Sequence, residues 1–250
     1  MYLLDFKEGV TFKAFSNIGQ DEYLPHAKAL GLESDPDFGL SVLSSLFKEY
    51  KRRMKVLKES NFKSIREFRI HNKDSVMPRI LVVIDEFQLM FDDFQRSQKI
   101  AEMLEKSVRL FRAAGIHFIL ASQTIGNNGS GAFSEKKDSL FSQVPIRIAL
   151  KNSVQESRET LGFDNLAAAF LRPREAIVNL DYGEVTQNHK TIIGYADEKL
   201  LKPLRRVWWE KARSDYKPPY VFESERRITI KSGISEMNRM REEDRIPHAF

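Results

Sequence analysis

The chain has 250 residues, of which 42% are hydrophobic and 30% are charged, and its formal net charge is +5. This length and apolar content suffice for one large folded domain, and the mildly basic balance permits a polyanion as a partner. The sequence contains no cysteine, which excludes disulfide bonds and thiolate catalysis and favours a cytoplasmic location. No apolar run approaches the roughly 20 residues of a membrane-spanning helix.

The N-terminal residues predict a buried strand. Residues 2–6, YLLDF, are apolar apart from the acidic residue at which the strand ends, Asp5. They carry neither the basic leader nor the long apolar stretch of a signal peptide. Because a fold rarely opens in the middle of a buried strand, we expect an N-terminal portion of the domain to lie outside the chain.

A long amphipathic helix is predicted from about Phe38. Asp35 and Pro36 suit its first turn, and apolar residues recur at steps of three and four. These residues are Leu43, Leu46, Phe47, Tyr50, Met54 and Leu57. The opposite face is basic and carries Lys48, Lys51, Arg52, Lys55 and Lys58. Two interpretations of this face are open: a solvated surface, or a surface that follows the phosphates of a nucleic acid.

Strands and helices then alternate. The predicted core strands are RILVVI (79–84), IHFILASQT (116–124) and VPIRIALKN (144–152), the first two buried on both faces. A helix over roughly 95–114, ended by Gly115, separates the first two strands. The segments SIRE (64–67) and SVQE (153–156) have the spacing of capping boxes that open short helices. This alternation indicates an α/β doubly wound, mainly parallel sheet.

The character of the sequence changes after the third core strand. Residues 175–193 predict two extended segments around a turn at 181–183, and residues 197–212 predict a closing helix that is bent at Pro203. Trp208 and Trp209 are expected to pack this helix onto the sheet, although an exposed tryptophan would suit a partner. Residues 213–250 mix prolines and charges without an apolar period and are predicted to form a linker or tail.

Two adjacent carboxylates, Asp85 and Glu86, end the first of these core strands. Ligands of open α/β sheets bind outside the carboxyl ends of the strands. There, Asp85 would hold Mg²⁺ and Glu86 would polarise the water that attacks the γ-phosphate of ATP. The alternative is that both acids only cap the following helix and interact with its dipole. Gln123, a polar amide at the end of the next strand, could sense the γ-phosphate or orient that water; the alternative is a glutamine satisfied by the backbone.

Several segments in fixed order carry a family resemblance. They are DFKEGVTF (5–12), LPH (24–26), KEYKRR (48–53), PRILVVIDEFQLM (78–90), RAAGIHFILASQT (112–124), VPIRIALK (144–151) and ESRETLG (156–162). This succession resembles the FtsK/SpoIIIE family of hexameric translocases, which includes the related motor of type VII secretion. The resemblance covers roughly residues 1–210, and its most specific parts are the two strands that carry Asp85, Glu86 and Gln123.

The resemblance implies a RecA-like P-loop fold that hydrolyses Mg²⁺-ATP at subunit interfaces of a ring and moves a polymer through the pore. Asp85 and Glu86 correspond to the Walker B acids and Gln123 to the sensor glutamine. An arginine from the neighbouring subunit would complete the site, and Arg112, Arg147 and Arg158 are the candidates. The alternative for each is a structural arginine. The Gly-rich residues 125–139 are interpreted as a flexible connection or as a loop that faces the pore.

The sequence departs from the family pattern at the phosphate-binding loop. A Walker A loop has the form G-x-x-x-x-G-K-[ST], and no Gly-Lys pair occurs in this chain. The glycines of 126–137 follow the sensor strand, whereas a Walker A loop precedes Walker B. We therefore expect a RecA-like domain (1–212) truncated before its first strand and P-loop, followed by a linker or tail (213–250). Such a chain would bind ATP weakly or not at all by itself.

Three hypotheses of function follow. The first is a portion of a DNA-translocating motor that uses ATP and Mg²⁺ as a homo-oligomeric, hexameric ring on double-stranded DNA. The second keeps the motor but exchanges the cargo for a polypeptide, and the third is a catalytically inactive RecA-like interaction module. Tethering to a membrane through regions outside the chain is left open. The five histidines are scattered without ligand spacing, so no zinc site is predicted.

Overall fold

The computed structural model describes residues 1–7, 11–73, 77–125, 131–195, 197–211 and 217–223. Within these residues the strands are β1 (Tyr2–Asp5), β2 (Ala29–Leu32), β3 (Ile80–Asp85), β4 (Ile116–Leu120), β5 (Arg147–Leu150), β6 (Glu175–Asn179), β7 (Asn188–Ile192) and β8 (Tyr220–Glu223). The α-helices are α1 (Pro36–Glu59), α2 (Ile65–His71), α3 (Phe94–Leu110), α4 (Gly131–Phe141), α5 (Val154–Leu161) and α6 (Glu198–Glu210).

Five strands form a parallel sheet in the order β4-β3-β1-β2-β8. Helices α1 and α3 cover one face, where the largest apolar cluster includes Leu46, Val82 and Leu104. A second cluster on the other face joins Leu3 and Leu30 to apolar residues of 12–27. Coverage of both faces explains why β1 and β3 read as continuous apolar runs. The predicted α/β architecture with a mainly parallel sheet is confirmed.

Local signals placed the helix ends correctly. The Asp35 carboxylate accepts a hydrogen bond of 2.8 Å from the Phe38 amide at the start of α1. Ser64 and Ser153 cap α2 and α5 in the same way. Gly115 ends the turn after α3 with φ +70°, and a Cβ there would lie 2.6 Å from the Ile65 side chain, so glycine is required for both backbone and space.

The prediction that VPIRIALKN is a core strand of the same sheet is wrong. Strand β5 pairs antiparallel with β6, and β6 with β7, in a separate three-stranded sheet. The predicted hairpin at 175–193 is confirmed and supplies β6 and β7. Ile148 and Leu150 on β5 are 58% and 57% exposed, because neither the free edge of β5 nor that face of the sheet is covered by described residues.

Three other expectations also differ from the structure. Strand β4 is buried on one face only, since it is an edge strand whose His117 and Ile119 are exposed. Residues 131–139 are helical, not a flexible connection, because Phe133 and Leu140 anchor α4 in the core; residues 126–130 of that stretch lie outside the described residues. Helix α6 does not bury its tryptophans on the sheet, and Trp208 remains 41% exposed.

The predicted tail contains a strand. Strand β8 adds to the parallel sheet beside β2, and Phe222 stacks on Phe38 of α1 with ring centroids 4.4 Å apart. The division of the chain at residue 212 stays a prediction, but part of 213–250 belongs to the sheet. Within the described part of the chain, no helix combines the length and apolar character that crossing a membrane requires.

Candidate functional site

The candidate site lies where β1 and β3 end side by side. Parallel pairing sets Asp5 opposite Asp85, and Glu86 follows directly. Asp5 and Glu86 are almost fully buried, whereas Asp85 is half-buried. Three carboxylates are therefore gathered at the carboxyl edge of the sheet, the edge at which open α/β sheets bind ligands.

The Asp85 carboxylate has more negative charge near it than its few donors can balance. Burial raises its pKa, and the charges of Asp5 and Glu86 raise it further. The Thr11 hydroxyl donates a long hydrogen bond of 3.4 Å to Asp85 Oδ2, and this bond lowers the pKa of Asp85. Asp85 is thus suited to a cation.

The Glu86 carboxylate is held in a defined position. Its backbone is left-handed, with φ 51° and ψ 47°, which costs about 1–2 kcal/mol for a residue with a Cβ. Its Oε2 accepts hydrogen bonds from the Gln88 side-chain Nε2 at 2.6 Å and from the Gln123 backbone amide at 3.2 Å. Backbone pairing between Phe87 and Ala121 ties this turn to the end of β4. Strain maintained by such contacts is typical of catalytic positions.

Lys7 joins the two predicted catalytic side chains. Its Nζ lies 3.5 Å from Gln123 Oε1 and 3.9 Å from Glu86 Oε1. The Asp5 carboxylate accepts a hydrogen bond of 2.9 Å from the Lys7 amide, which fixes the backbone that presents this lysine. The structure therefore brings Asp85, Glu86 and Gln123 together at one edge, as their order along the chain predicts.

The residues present fit a magnesium ion. The uncompensated charge around Asp85 favours a divalent cation, and Mg²⁺ typically takes one or two carboxylates together with phosphate oxygens and water. Among the described residues, no three Asp, Glu, His or Cys side chains are arranged to hold a metal by themselves. A metal at this edge would therefore need further ligands besides these described side chains, such as water.

Sequence comparison decides the family. The profile of the FtsK/SpoIIIE family matches residues 1–127, which is half of the chain and includes Asp85, Glu86 and Gln123. The chain belongs to the FtsK/SpoIIIE family.

The relatives of this chain include a DNA translocase and secretion system proteins. The DNA translocase FtsK of Chlorobaculum tepidum is 29% identical over 109 residues, which are 42% of this chain and 13% of that protein. The ESX secretion system protein EccC of Thermomonospora curvata is 30% identical over 168 residues, 64% of this chain and 12% of that protein. The chain thus spans about an eighth of the length of these relatives.

Solved structures show the same fold. The cytoplasmic domain of the type VII secretion ATPase EccC from Thermomonospora curvata superposes with a TM-score of 0.63 at 24% identity, covering 88% of this chain and 24% of that one. The pCW3 conjugation coupling protein TcpA, solved with ATPγS, superposes with a TM-score of 0.64 at 24% identity, covering 84% of this chain and 56% of that one. The FtsK/SpoIIIE chain therefore has the RecA-like fold that the sequence predicts.

The three candidate arginines have different surroundings. Arg147 donates to the backbone carbonyls of Phe141, Val144 and Leu161, and burial lowers its pKa, so its donors serve the fold. Arg112 is exposed but lies before β4, at the amino edge of the sheet. Arg158 is exposed on α5 with its guanidinium 5.2 Å from the Phe163 ring centroid. The choice of arginine stays a prediction, with Arg112 and Arg158 both exposed and Arg147 bound to backbone carbonyls.

Sequence reasoning missed four residues of the site: Asp5, Lys7, Thr11 and Gln88. Only Asp5 gave a signal, as the acid that ends the first strand. Its alignment with Asp85 follows from the pairing of β1 with β3, and residues almost 80 positions apart reveal no such register in a single sequence.

Proposed function

We propose that the chain is part of an ATP-hydrolysing motor that translocates DNA, with Asp85, Glu86 and Gln123 at the γ-phosphate. The observation that carries the proposal is Glu86. Its carboxylate is buried, its backbone is strained, and two donors fix it beside Asp85 at the carboxyl edge of the sheet. A residue that only capped the next helix would need none of these features.

Each side chain has a role that its position supports. Asp85 holds Mg²⁺, which when bound neutralises charge on the phosphates. Glu86 accepts the proton of the attacking water, and Gln123 orients that water. Lys7 lies between them, where its ammonium faces the charge that develops on the phosphate and keeps Glu86 paired until the nucleotide arrives.

We propose that a further segment supplies the phosphate-binding half of the site, because the sequence has no Gly-Lys pair. The two sheets offer a place for it. Among the described strands, β4 and β5 each end a sheet and pair on one side only. Exposed apolar side chains flank both edges, namely Ile119, Ile148 and Leu150. A strand of a segment that carries the P-loop would pair with β4 and β5 and join the two sheets.

An oligomer would complete the site. The proposal includes a homo-oligomeric, hexameric ring in which an arginine of the neighbouring subunit reaches the γ-phosphate, with Arg158 preferred over Arg112 and Arg147. The related motor domains of known structure include a cytoplasmic one, and we propose a cytoplasmic location for this chain also.

The cargo is proposed as double-stranded DNA, with a polypeptide as the second candidate. DNA is favoured by the net charge of +5 and by the basic face of α1. A polypeptide is favoured by the longer match to EccC, which extends over 64% of the chain. Salt separates the two, because contacts with phosphates give affinity a steep dependence on salt concentration and contacts with a polypeptide need not.

Nucleotide binding tests the proposal. The chain alone should bind Mg²⁺-ATP weakly or not at all, and fusion to a segment that carries the P-loop should restore binding and hydrolysis. In that fusion, Glu86→Gln should slow hydrolysis at least about 100-fold, the typical contribution of a general base, while ATP binding is kept. Gln95→Glu, an exposed change of charge on α3, is the matched control.

Two results would contradict the proposal. Tight Mg²⁺-ATP binding by the 250 residues alone would mean that the phosphate site has been misassigned. Unchanged hydrolysis in the Glu86→Gln fusion would mean that this carboxylate is not the base.

A further inference from the structure

The positive charge of the molecule is concentrated in one segment. Residues 48–71, called here the basic segment, comprise the second half of α1, the turn after it and α2. They hold nine of the 40 Lys and Arg residues and three of the 35 Asp and Glu residues. Their formal charge is therefore +6, and the other 226 residues sum to −1. The mildly basic character of the whole chain comes entirely from this segment.

The three acidic residues of the basic segment pair with groups of the same segment. The Glu49 carboxylate accepts hydrogen bonds from Arg52 and Arg53, and the Glu67 carboxylate accepts one from the Lys63 amide. Glu59 lies 3.8 Å from Lys55 in an exposed ion pair, and exposed pairs of this kind contribute little to stability. Within the described residues, no acidic side chain pairs with Lys48, Lys51 or Lys58. The outward charge is thus largely uncompensated.

The cations form a continuous exposed ridge. Steps of three and four residues put Lys48, Lys51, Lys55 and Lys58 on one side of α1, and all four are exposed. At 1.5 Å per residue they span about 15 Å. Arg66 and Arg69 are exposed on α2. Both helices bury their apolar sides in a shared cluster that includes Leu57, Ile65 and Phe68, so these exposed cations face away from it.

The basic segment lies far from the acids of the candidate site. Helix α1 starts beside the carboxyl edge, where the Ser34 amide bonds the Asp5 carbonyl, and then runs away from it. Its second half reaches the amino edge, because the Arg53 guanidinium donates to the carbonyls of Pro78 and Ala114, just before β3 and β4. A ligand of the basic segment therefore does not occupy the ATP site.

We infer that the basic segment binds the phosphate backbone of double-stranded nucleic acid without reading its bases. Duplex DNA carries a phosphate every 3.4 Å or so along each strand, so a 15 Å ridge of lysines faces about four of them. Among the described residues of the segment, Ile70 is the only strongly exposed large apolar side chain, whereas helices that lie on membranes also present bulky apolar residues to the lipid. The surface thus fits phosphates better than a bilayer.

The inference rests on the DNA part of the proposed function and is independent of ATP hydrolysis. It is tested with the 250-residue chain and a fluorescently labelled DNA duplex, by anisotropy at several salt concentrations. The variant carries Lys48→Gln, Lys51→Gln, Lys55→Gln and Lys58→Gln together. The control removes the same charge from exposed lysines elsewhere, by Lys99→Gln, Lys106→Gln, Lys151→Gln and Lys202→Gln.

The basic-segment variant should lose at least about tenfold in affinity, and the slope of log affinity against log salt should flatten by about 3.6, since each of about four phosphate contacts contributes about 0.9. The control should change affinity by less than threefold. Circular dichroism should show both variants folded, because all eight side chains are exposed. Hydrolysis of ATP by the P-loop fusion should remain in the basic-segment variant when DNA is absent, which separates this inference from the proposed catalytic site.

Three results would overturn the inference. Equal losses in the two variants would show that only total charge matters. A wild-type affinity without salt dependence would exclude phosphate contacts. Binding to vesicles of anionic phospholipid in preference to the duplex, lost in the basic-segment variant, would assign the surface to a membrane instead.

Discussion

Asp85 illustrates a conflict between stability and function at a single residue. Its pKa is raised by burial and by the neighbouring charges of Asp5 and Glu86, so ionisation is harder in the folded protein than in the unfolded chain. The folded state is therefore penalised at pH values above the raised pKa, and the penalty vanishes below the unfolded pKa of about 3.9. A cation would remove this penalty, which is the physical reason to expect one here.

Asp85→Asn should raise the free energy of unfolding at pH 7, since it removes the penalised charge. The gain should be modest because Asp85 is only half-buried, and it should shrink as the pH falls towards 4 and vanish below the unfolded pKa. Urea unfolding from pH 4 to 8 measures it. Asp164→Asn removes an exposed carboxylate and controls for net charge. A gain that is equal in both variants, or constant across this pH range, would argue against the electrostatic account.

At the scale of elements, a buried arginine ties helix α1 to the sheet. The side chain of Arg53 is completely buried. Its guanidinium bonds Glu49 at 2.6 Å and the carbonyls of Pro78 and Ala114 at 2.8 and 3.0 Å. These carbonyls immediately precede β3 and β4, so one side chain satisfies backbone groups at the start of two core strands.

Arg53→Met should cost about 2–3 kcal/mol of unfolding free energy, because it leaves two buried carbonyls without a donor and weakens the pairing of Glu49. Arg52→Met, which removes the partly exposed partner of the same carboxylate, should cost less than about 1 kcal/mol. Urea denaturation of both variants gives the comparison. Equal costs would mean that the ion pair with Glu49, and not the contact with the strands, carries the stability.

The elements also show what one sequence can and cannot predict. Signals that act over a few residues were sufficient: the caps at Asp35, Ser64 and Ser153, and the left-handed Gly115. The choice of strand partner was not, because β5 carries the same apolar pattern whether it joins the parallel sheet or pairs with β6. Strand β8 was missed for a related reason, since four residues after two prolines have too weak a pattern and gain their stability from β2 and Phe38.

The same limit governs the candidate site. Asp85, Glu86 and Gln123 were predicted because each follows an apolar strand, and the carboxyl ends of neighbouring parallel strands meet at one edge. Lys7 and Thr11 were missed because their places depend on the pairing of β1 with β3 and on the bond from Asp5 to the Lys7 amide. Such register is a property of the assembled sheet and not of any short motif.

At the scale of the whole molecule, each of the two sheets has an edge strand with exposed apolar side chains. Strand β4 ends the parallel sheet, β5 ends the antiparallel one, and both are bordered by exposed apolar side chains. Exposed apolar patches beside open strand edges are features that proteins normally cover. The proposed P-loop segment would cover both at once and would bring phosphate-binding amides to the acids of β3.

Ile148→Lys tests that arrangement. Ile148 is 58% exposed, so the change should leave the thermal stability of the 250-residue chain almost unaltered. In the fusion with the P-loop segment the residue should become buried, and burial of an isoleucine contributes about 2 kcal/mol, so ATP affinity should fall more than about tenfold. Ile192→Lys on β7, which is 71% exposed and lies on the opposite edge strand of the same sheet, should alter neither quantity. If both variants bind ATP like the parent fusion, the segment does not dock between β4 and β5, and the acids of β3 must meet their phosphate-binding partner along another surface.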